Sequence, residues 1–110
     1  MLIYVSIPIT GYDEAERRER AEYIKSKLRD HYGDATVVAP FDIADKLSKI
    51  FKDPTYGEYM GNDLAVIIDE VNAVCFDELP WVTESRGVRL EYAAATLYGK
   101  ACIFFKYLEK

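Results

Sequence analysis

The segment with the clearest chemical pattern is residues 81–95, in which a serine, a glycine and a glutamate are regularly spaced. Ser85 fits the N-cap of a helix, and the backbone amides after it, together with the helix dipole, form an anion-binding end. Glu91 follows two turns later, where a helix facing a core normally carries an apolar residue. Because helical side chains lean towards the N-terminus, its carboxylate is expected over Gly87 and Val88. The pattern predicts a carboxylate in a small-ligand pocket.

A second interpretation of this segment stays open. Glu91 could be a surface residue paired with Arg86 or Arg89, and Gly87 could be tolerated at a fraying helix end. Glycine in a first helical turn costs about 1 kcal/mol relative to alanine, so its presence there favours a functional reason without requiring one.

Other familiar chemistries are missing from the chain. There is no glycine-rich dinucleotide fingerprint after the first apolar run and no P-loop. Cys75 and Cys102 are too far apart for a redox or zinc pair, and each lies in an apolar run, which predicts buried thiols. The single histidine, His31, is expected as a cation at a helix end. Chemistry on a small ligand without a metal or cofactor is what these absences favour.

Short apolar runs alternate with helical patterns along the chain. Strands are predicted at residues 2–7, 36–39, 72–76 and 101–105. Helices are predicted from a cap at Asp13 to a left-handed glycine at Gly33, and at residues 42–51, 58–69 and 85–98, the last ending at Gly99. This alternation predicts one α/β domain over residues 1–110. Its expected architecture is a three-layer, flavodoxin-like or Rossmann-like parallel sheet of four to five strands with helices on both faces.

In such a sheet, ligands bind outside the carboxyl ends of the strands. Three predicted loops meet at that edge: residues 8–12, 40–42 and 77–84. The chemistry of the chain is therefore expected among these loops and the start of the helix that carries Glu91.

Composition limits the partners. The chain has 14 Lys and Arg against 19 Asp and Glu, a net charge of −5, so a generic nucleic-acid groove is not expected. No apolar run approaches the ~20 residues that cross a bilayer, and no basic-then-apolar leader is visible, so a cytoplasmic protein without a membrane partner is expected.

Four motifs resemble the nucleoside 2-deoxyribosyltransferase-like superfamily. They are residues 3–11 (Ile-Tyr-Val-Ser-Ile-Pro-Ile-Thr-Gly), residues 62–64 (Asn-Asp-Leu), residues 85–91 (Ser-Arg-Gly-Val-Arg-Leu-Glu) and the helix and strand from residue 91 onwards. The Ser–Gly–Glu spacing is similar to that of deoxynucleoside 5′-monophosphate N-glycosidases, and the chain is most like the small phage and bacterial members of unassigned function.

The resemblance implies cleavage of the N-glycosidic bond of a 2′-deoxynucleoside or its 5′-monophosphate, by hydrolysis or base exchange and without a cofactor. Glu91 would be the nucleophile, and Asp63 and Tyr4 would complete the catalytic set. The implied substrate-binding residues are Ser6, Pro8, Ile9, Thr10, Gly11, Trp81, Ser85, Gly87 and Val88. Plainer interpretations remain for three of these residues: Asp63 as an exposed helix charge, Tyr4 as sheet core, and Trp81 as loop packing.

Two departures bear on activity. Ile7 stands where the family usually has a glycine that lets the backbone approach the ligand, and Thr10 stands where the nucleotide hydrolases carry an arginine. Alternatives therefore stay open, namely a deoxyribosyltransferase on free nucleosides or a non-catalytic nucleotide-binding module. A homo-oligomer, most simply a dimer, is also expected, because the resemblance implies shared sites and the nine tyrosines suit an interface.

Overall fold

A computed structural model of the chain describes residues 1–8 and 11–109. Its four strands are β1 (Leu2–Ser6), β2 (Thr36–Val38), β3 (Ala73–Phe76) and β4 (Ala101–Phe104). Its helices are α1 (Glu14–His31), α2 (Pro40–Ile50), α3 (Tyr56–Asp69), α4 (Leu79–Glu84) and α5 (Arg86–Leu97), followed by a 3-10 turn at Phe105–Tyr107. The strands are parallel in the order β2-β1-β3-β4, which confirms the predicted three-layer α/β class.

The central strands β1 and β3 are almost wholly buried, as expected for a parallel sheet covered by helices. The chain leaves β1 towards β2 through α1, and then returns across the sheet to β3 through α2 and α3. Right-handed crossovers place α1 on one face and α3 and α5 on the other, where α3 packs against α5. The strand order reverses between β1 and β3, so their carboxyl ends border the crevice in which such folds hold ligands.

Most helix boundaries follow local capping chemistry. The Asp13 carboxylate accepts the Glu16 N–H at 2.9 Å, which confirms the predicted cap of α1. The predicted left-handed cap at Gly33 is wrong: α1 ends at His31, and the N–H of Tyr32 closes the last turn on Leu28. Gly99 does have a positive φ of 69° after α5, as its helix-ending role requires.

Two of the predicted edge loops are helical. Residues 40–42 form the first turn of α2, since Pro40 occupies a position whose N–H would be unpaired anyway. Ala39 cannot cap with its side chain, and the Asp42 carboxylate instead accepts the Ala39 N–H at 2.8 Å. Residues 79–84 form α4, with Pro80 likewise in the first turn. The start of α3 lies at Tyr56, two residues earlier than predicted.

The remaining sequence expectations are partly confirmed. Cys75 is buried, whereas Cys102 on β4 is only half-buried because that strand forms an edge of the sheet; neither is in a disulfide. His31 is the last residue of α1, which confirms its predicted place at a helix end. Among the described residues, no helix is both long and apolar enough to cross a bilayer.

Candidate active site

Glu91 on α5 points inward to the carboxyl end of β1 and is only 2% exposed. The Tyr4 hydroxyl donates a hydrogen bond to Oε2, and the Ser6 hydroxyl donates to Oε1 at 2.7 Å. The two donors stand on the same face of β1 because alternate residues of a strand do so. The interpretation of Glu91 as a surface residue paired with an arginine is therefore wrong.

Asp63 on α3 reaches the same place. It is 3% exposed, so the interpretation as an exposed helix charge is wrong. The packing of α3 against α5 brings Asp63 close enough for its charge to act on Glu91 and on Tyr4. Tyr4 lies fully within the core of the sheet, which confirms its interpretation as sheet core, and its hydroxyl also donates a hydrogen bond to the Glu91 carboxylate.

The charge of Glu91 and Asp63 depends mainly on their burial, because no cation among the described residues is paired with either carboxyl. Burial raises the pKa of Asp63 to about 7, and the Tyr4 hydroxyl lowers it by a smaller amount. Burial, followed by repulsion from Asp63, raises the pKa of Glu91 to about 8, against the hydrogen bonds from Tyr4 and Ser6. The pKa of Tyr4 is raised well above its usual range, first by burial and then by Glu91. Both carboxyls therefore keep their protons to a higher pH than ordinary carboxyls do, and the charge of one acts on the other.

A small pocket lies directly over the Glu91 carboxylate. Its volume is about 20 Å³, room for about one water molecule. A methyl group built on Gly87 would lie 3.4 Å from the Tyr56 hydroxyl and 3.5 Å from Met60 Sδ, so the glycine leaves this space open. The lining residues are Ile7, Pro8, Pro40, Tyr56, Met60, Asp63, Ser85, Gly87, Val88 and Glu91.

An open cleft of about 490 Å³ adjoins this pocket, large enough for a drug-sized ligand. Ser85 caps α5 by accepting the Val88 N–H at 3.3 Å, and it borders both spaces. The lining residues of the cleft are Gly11, Tyr12, Tyr56, Glu84, Ser85, Arg86 and Gly87. The start of α5 thus faces a ligand-sized space next to the buried carboxyls.

Trp81 stands behind the cleft wall and is not among the lining residues of either space. It is buried on α4, with the Tyr12 ring edge-on at 5.7 Å and the Arg17 guanidinium 4.6 Å from its ring centre. Tyr12, which the motifs did not single out, lines the cleft, and its ring packs edge-on against Trp81.

The structure brings together most of the residues that the sequence singled out. Ser6, Pro8, Gly11, Ser85, Gly87 and Val88 all lie at the pocket, the cleft or the Glu91 carboxylate. Ile9 and Thr10 lie outside the described residues. Ile7, one of the two departures from the motif pattern, lines the pocket. Sequence reasoning missed Tyr56, although the capping pair formed by Thr55 and Glu58 marks it as the first residue of a helix.

Comparisons with known proteins found no similar protein. No protein-family model, curated protein or solved structure matches the chain. Within the described residues, no group of three His, Cys, Asp or Glu side chains could hold a metal ion.

Proposed function

We propose that the protein cleaves the N-glycosidic bond of a 2′-deoxynucleoside or its 5′-monophosphate through a covalent glycosyl intermediate on Glu91. The observation that carries the proposal is the Glu91 carboxylate, buried beneath Gly87, bonded by the Tyr4 and Ser6 hydroxyls and accompanied by Asp63. Two buried carboxyls with one proton between them can supply a nucleophile and a general acid from the same pocket.

Because Glu91 has the higher pKa of the two carboxyls, its proton must first pass to Asp63. In the first step, the ionised Glu91 carboxylate then attacks C1′ while the bond from C1′ to the base nitrogen breaks. The base leaves with the bonding pair and takes the proton of the carboxyl pair, which Asp63 delivers. The transition state is oxocarbenium-like, and the negative carboxylate stabilises its positive charge. Tyr4 and Ser6 hold both oxygens of Glu91 and so fix the direction of attack.

In the second step, water attacks C1′, the ester bond to Glu91 breaks, and Asp63 takes the proton of the water. The products are a free sugar and the restored carboxyl pair. With a second base in place of water, the same step gives base exchange, the activity of a deoxyribosyltransferase on free nucleosides. The chemistry of Glu91 is common to both outcomes, so the acceptor alone separates them.

The open cleft favours a 5′-monophosphate as the substrate. Its wall carries the amino-terminal end of α5, with the neutral Ser85 at its cap and Arg86 beside it. A helix amino terminus and an arginine both attract a phosphate, whereas an acidic residue at position 85 would repel it.

A second candidate function has its own support. Ile7 and Met60 help to close the Glu91 pocket to about 20 Å³, which favours a module that binds a nucleotide in the open cleft without cleaving it. Such a module would bind the ligand and release no base.

A homodimer is the assembly we propose. Leu90, Ala93 and Leu97 form an exposed apolar stripe on α5, and Leu97 is 81% exposed. Apolar patches of this kind mark association surfaces, and closed two-fold dimers are the commonest assemblies. Sedimentation at micromolar concentration tests the dimer: a fully active species of 12.6 kDa alone would refute it.

The function is tested by incubating the protein with a panel of nucleosides and 5′-monophosphates and measuring free base by chromatography. The proposal expects base from at least one deoxynucleotide, and none from the same reaction with Glu91→Gln. Saturable binding of a nucleotide without base release would favour the binding module instead. Release by Glu91→Gln at the parent rate would overturn the mechanism.

A further inference from the structure

The Glu91 pocket is closed against any substrate in this structure. An attacking carboxylate oxygen must come within about 3–3.5 Å of the carbon it attacks. A space of about 20 Å³ over the Glu91 carboxylate does not hold a sugar ring, while the neighbouring cleft of about 490 Å³ does. Part of the pocket lining must therefore move before any reaction on C1′.

Tyr56 is the lining residue best able to move. It is 46% exposed, and each of the other nine lining residues is buried or half-buried. Its hydroxyl makes no hydrogen bond within the part of the chain that the structure describes, and it lies 3.4 Å from the position that a methyl group on Gly87 would take. Met60, the other side chain over Gly87, is buried in α3.

Tyr56 also stands between the separate spaces at this edge of the sheet. It lines the Glu91 pocket, the open cleft, and a groove of about 430 Å³ on its other side, where its neighbours include Phe41 and Tyr59. Rotation of its ring towards that groove would join the pocket to the cleft.

The backbone at Tyr56 is held in place by its neighbours. The Thr55 hydroxyl accepts the Glu58 N–H at 3.1 Å, and the Glu58 carboxylate accepts the Thr55 N–H at 3.2 Å. This capping box fixes the first turn of α3. Opening at this point is therefore a side-chain movement on a fixed helix end.

We propose that the Tyr56 ring is the gate of the Glu91 pocket and determines which ligands reach the carboxylate. The closed ring covers Glu91, and the displaced ring lets the sugar of a nucleotide pass from the cleft to the carboxylate. The nucleotide as ligand rests on the proposed function, whereas the gate itself rests on geometry alone.

Chemical labelling tests the gate without any substrate. A water-soluble carbodiimide adds to a protonated carboxyl, and an added amine then displaces the urea to leave an amide, which peptide mass spectrometry locates. Because the reagent is larger than the closed pocket, it modifies Glu91 only when the gate is open. Tyr56→Ala should raise the Glu91 labelling rate by about tenfold or more, as expected when a local opening step is removed. Labelling of the exposed Glu19 on α1 should stay unchanged.

Two variants make the test specific. Tyr59→Ala removes a similar ring that lines only the groove, and it should leave Glu91 labelling at the parent rate. Tyr56→Phe keeps the ring and should also label slowly. The gate is overturned if Tyr56→Ala labels Glu91 no faster than the parent, or if either control variant labels it as fast as Tyr56→Ala. Circular dichroism of the three variants checks that each is folded.

A base-release assay on the same variants separates the gate from the proposed function. If both proposals hold, Tyr56→Ala changes KM for a nucleotide, and Tyr59→Ala leaves KM unchanged. Accelerated labelling of Glu91 in Tyr56→Ala without base release from any variant would keep the gate and reject the enzyme.

Discussion

Two buried carboxylate sites at the same sheet edge are built in opposite ways. Asp77, directly after β3, has a fully buried side chain that meets the Arg20 guanidinium at 2.8 Å and that of Arg17 at 3.8 Å. Glu91 and Asp63 are about equally buried, but Glu91 accepts hydrogen bonds from the Tyr4 and Ser6 hydroxyls, and neither carboxyl forms an ion pair among the described residues.

The difference separates a structural site from the site that we propose to be reactive. Arg20 donates hydrogen bonds to Asp77 and so connects α1 to the end of β3. A buried carboxylate that is paired with arginines in this way stays ionised and has a structural role. A carboxyl pair buried without a cation keeps its proton near neutrality and is ready to transfer it. Such perturbed groups in a cleft mark functional sites more often than structural ones.

The largest effect should separate the two sites by activity. Glu91→Gln should lower base release by about 10³-fold or more, because it removes the nucleophile, while the fold is kept. Steady-state assays on Glu91→Gln and on the matched cleft variant Glu84→Gln measure this. A loss of similar size in Glu84→Gln would show that the cleft charge, and not Glu91, is responsible.

The next effect should appear in stability. Asp77→Asn should lower the free energy of unfolding by about 1.5–3 kcal/mol, the typical contribution of hydrogen bonds to a charged group, since it leaves two arginines without their carboxylate. Denaturant titration measures the change. An Asp77→Asn variant as stable as the parent would show that the Asp77 site does not stabilise the fold.

Stability should also depend on pH through Glu91. Because burial raises its pKa to about 8 in the folded chain, the proton bound there stabilises the fold below the unfolded pKa, near 4.5, and that contribution is lost as pH rises through 8. Glu91→Gln should flatten this fall and be more stable than the parent at pH 8 by about 1 kcal/mol or more. Denaturation curves from pH 5 to 8.5 measure the difference, and parallel curves for the two proteins would contradict it.

A substitution at Gly87 should change stability and activity in opposite directions, which is not expected at the Asp77 site. Gly87→Ala should raise the free energy of unfolding by up to about 1 kcal/mol, since alanine favours the helix and its methyl group fits, but the methyl group fills the pocket and should lower activity. Gly61→Ala on α3 is the control, with open space around it. Thermal unfolding and base release are measured together, and undiminished activity in Gly87→Ala would mean that the ligand does not enter there.

The smallest effect concerns the cap of α5. Ser85→Asp keeps a good N-cap but puts a negative charge at the cleft, so 5′-monophosphate binding should weaken by about tenfold or less while nucleoside binding stays unchanged. Calorimetric titration with both ligands measures this. Equal losses of affinity for the two ligands would contradict phosphate binding at the start of α5.

The sequence was most informative where one residue type has one physical role. Apolar runs predicted all four strands, and the i, i+4 spacing of Gly87 and Glu91 predicted which glycine lies over which carboxylate. Prolines misled, because residues 40–42 and 77–84 were predicted to be loops, whereas Pro40 and Pro80 each lie in the first turn of a helix. Tyr12 had no signal, since an exposed aromatic residue in a loop follows no periodicity, and the capping pair Thr55 and Glu58 marked Tyr56 only as a helix start. The absence of a cation beside Glu91, within the described part of the chain, depends on the packing of α3 on α5, and no local sequence pattern predicts that packing.

The hydrogen bond between Tyr4 and Glu91 joins residues 87 positions apart, and Ser6 joins Glu91 across 85. Residues 4 and 6 therefore leave the ribosome before β3 and well before α5. Contacts between residues so far apart in sequence slow folding. A growing chain that has not yet reached α5 holds the Tyr4 and Ser6 hydroxyls without the carboxylate that they bond in the folded protein.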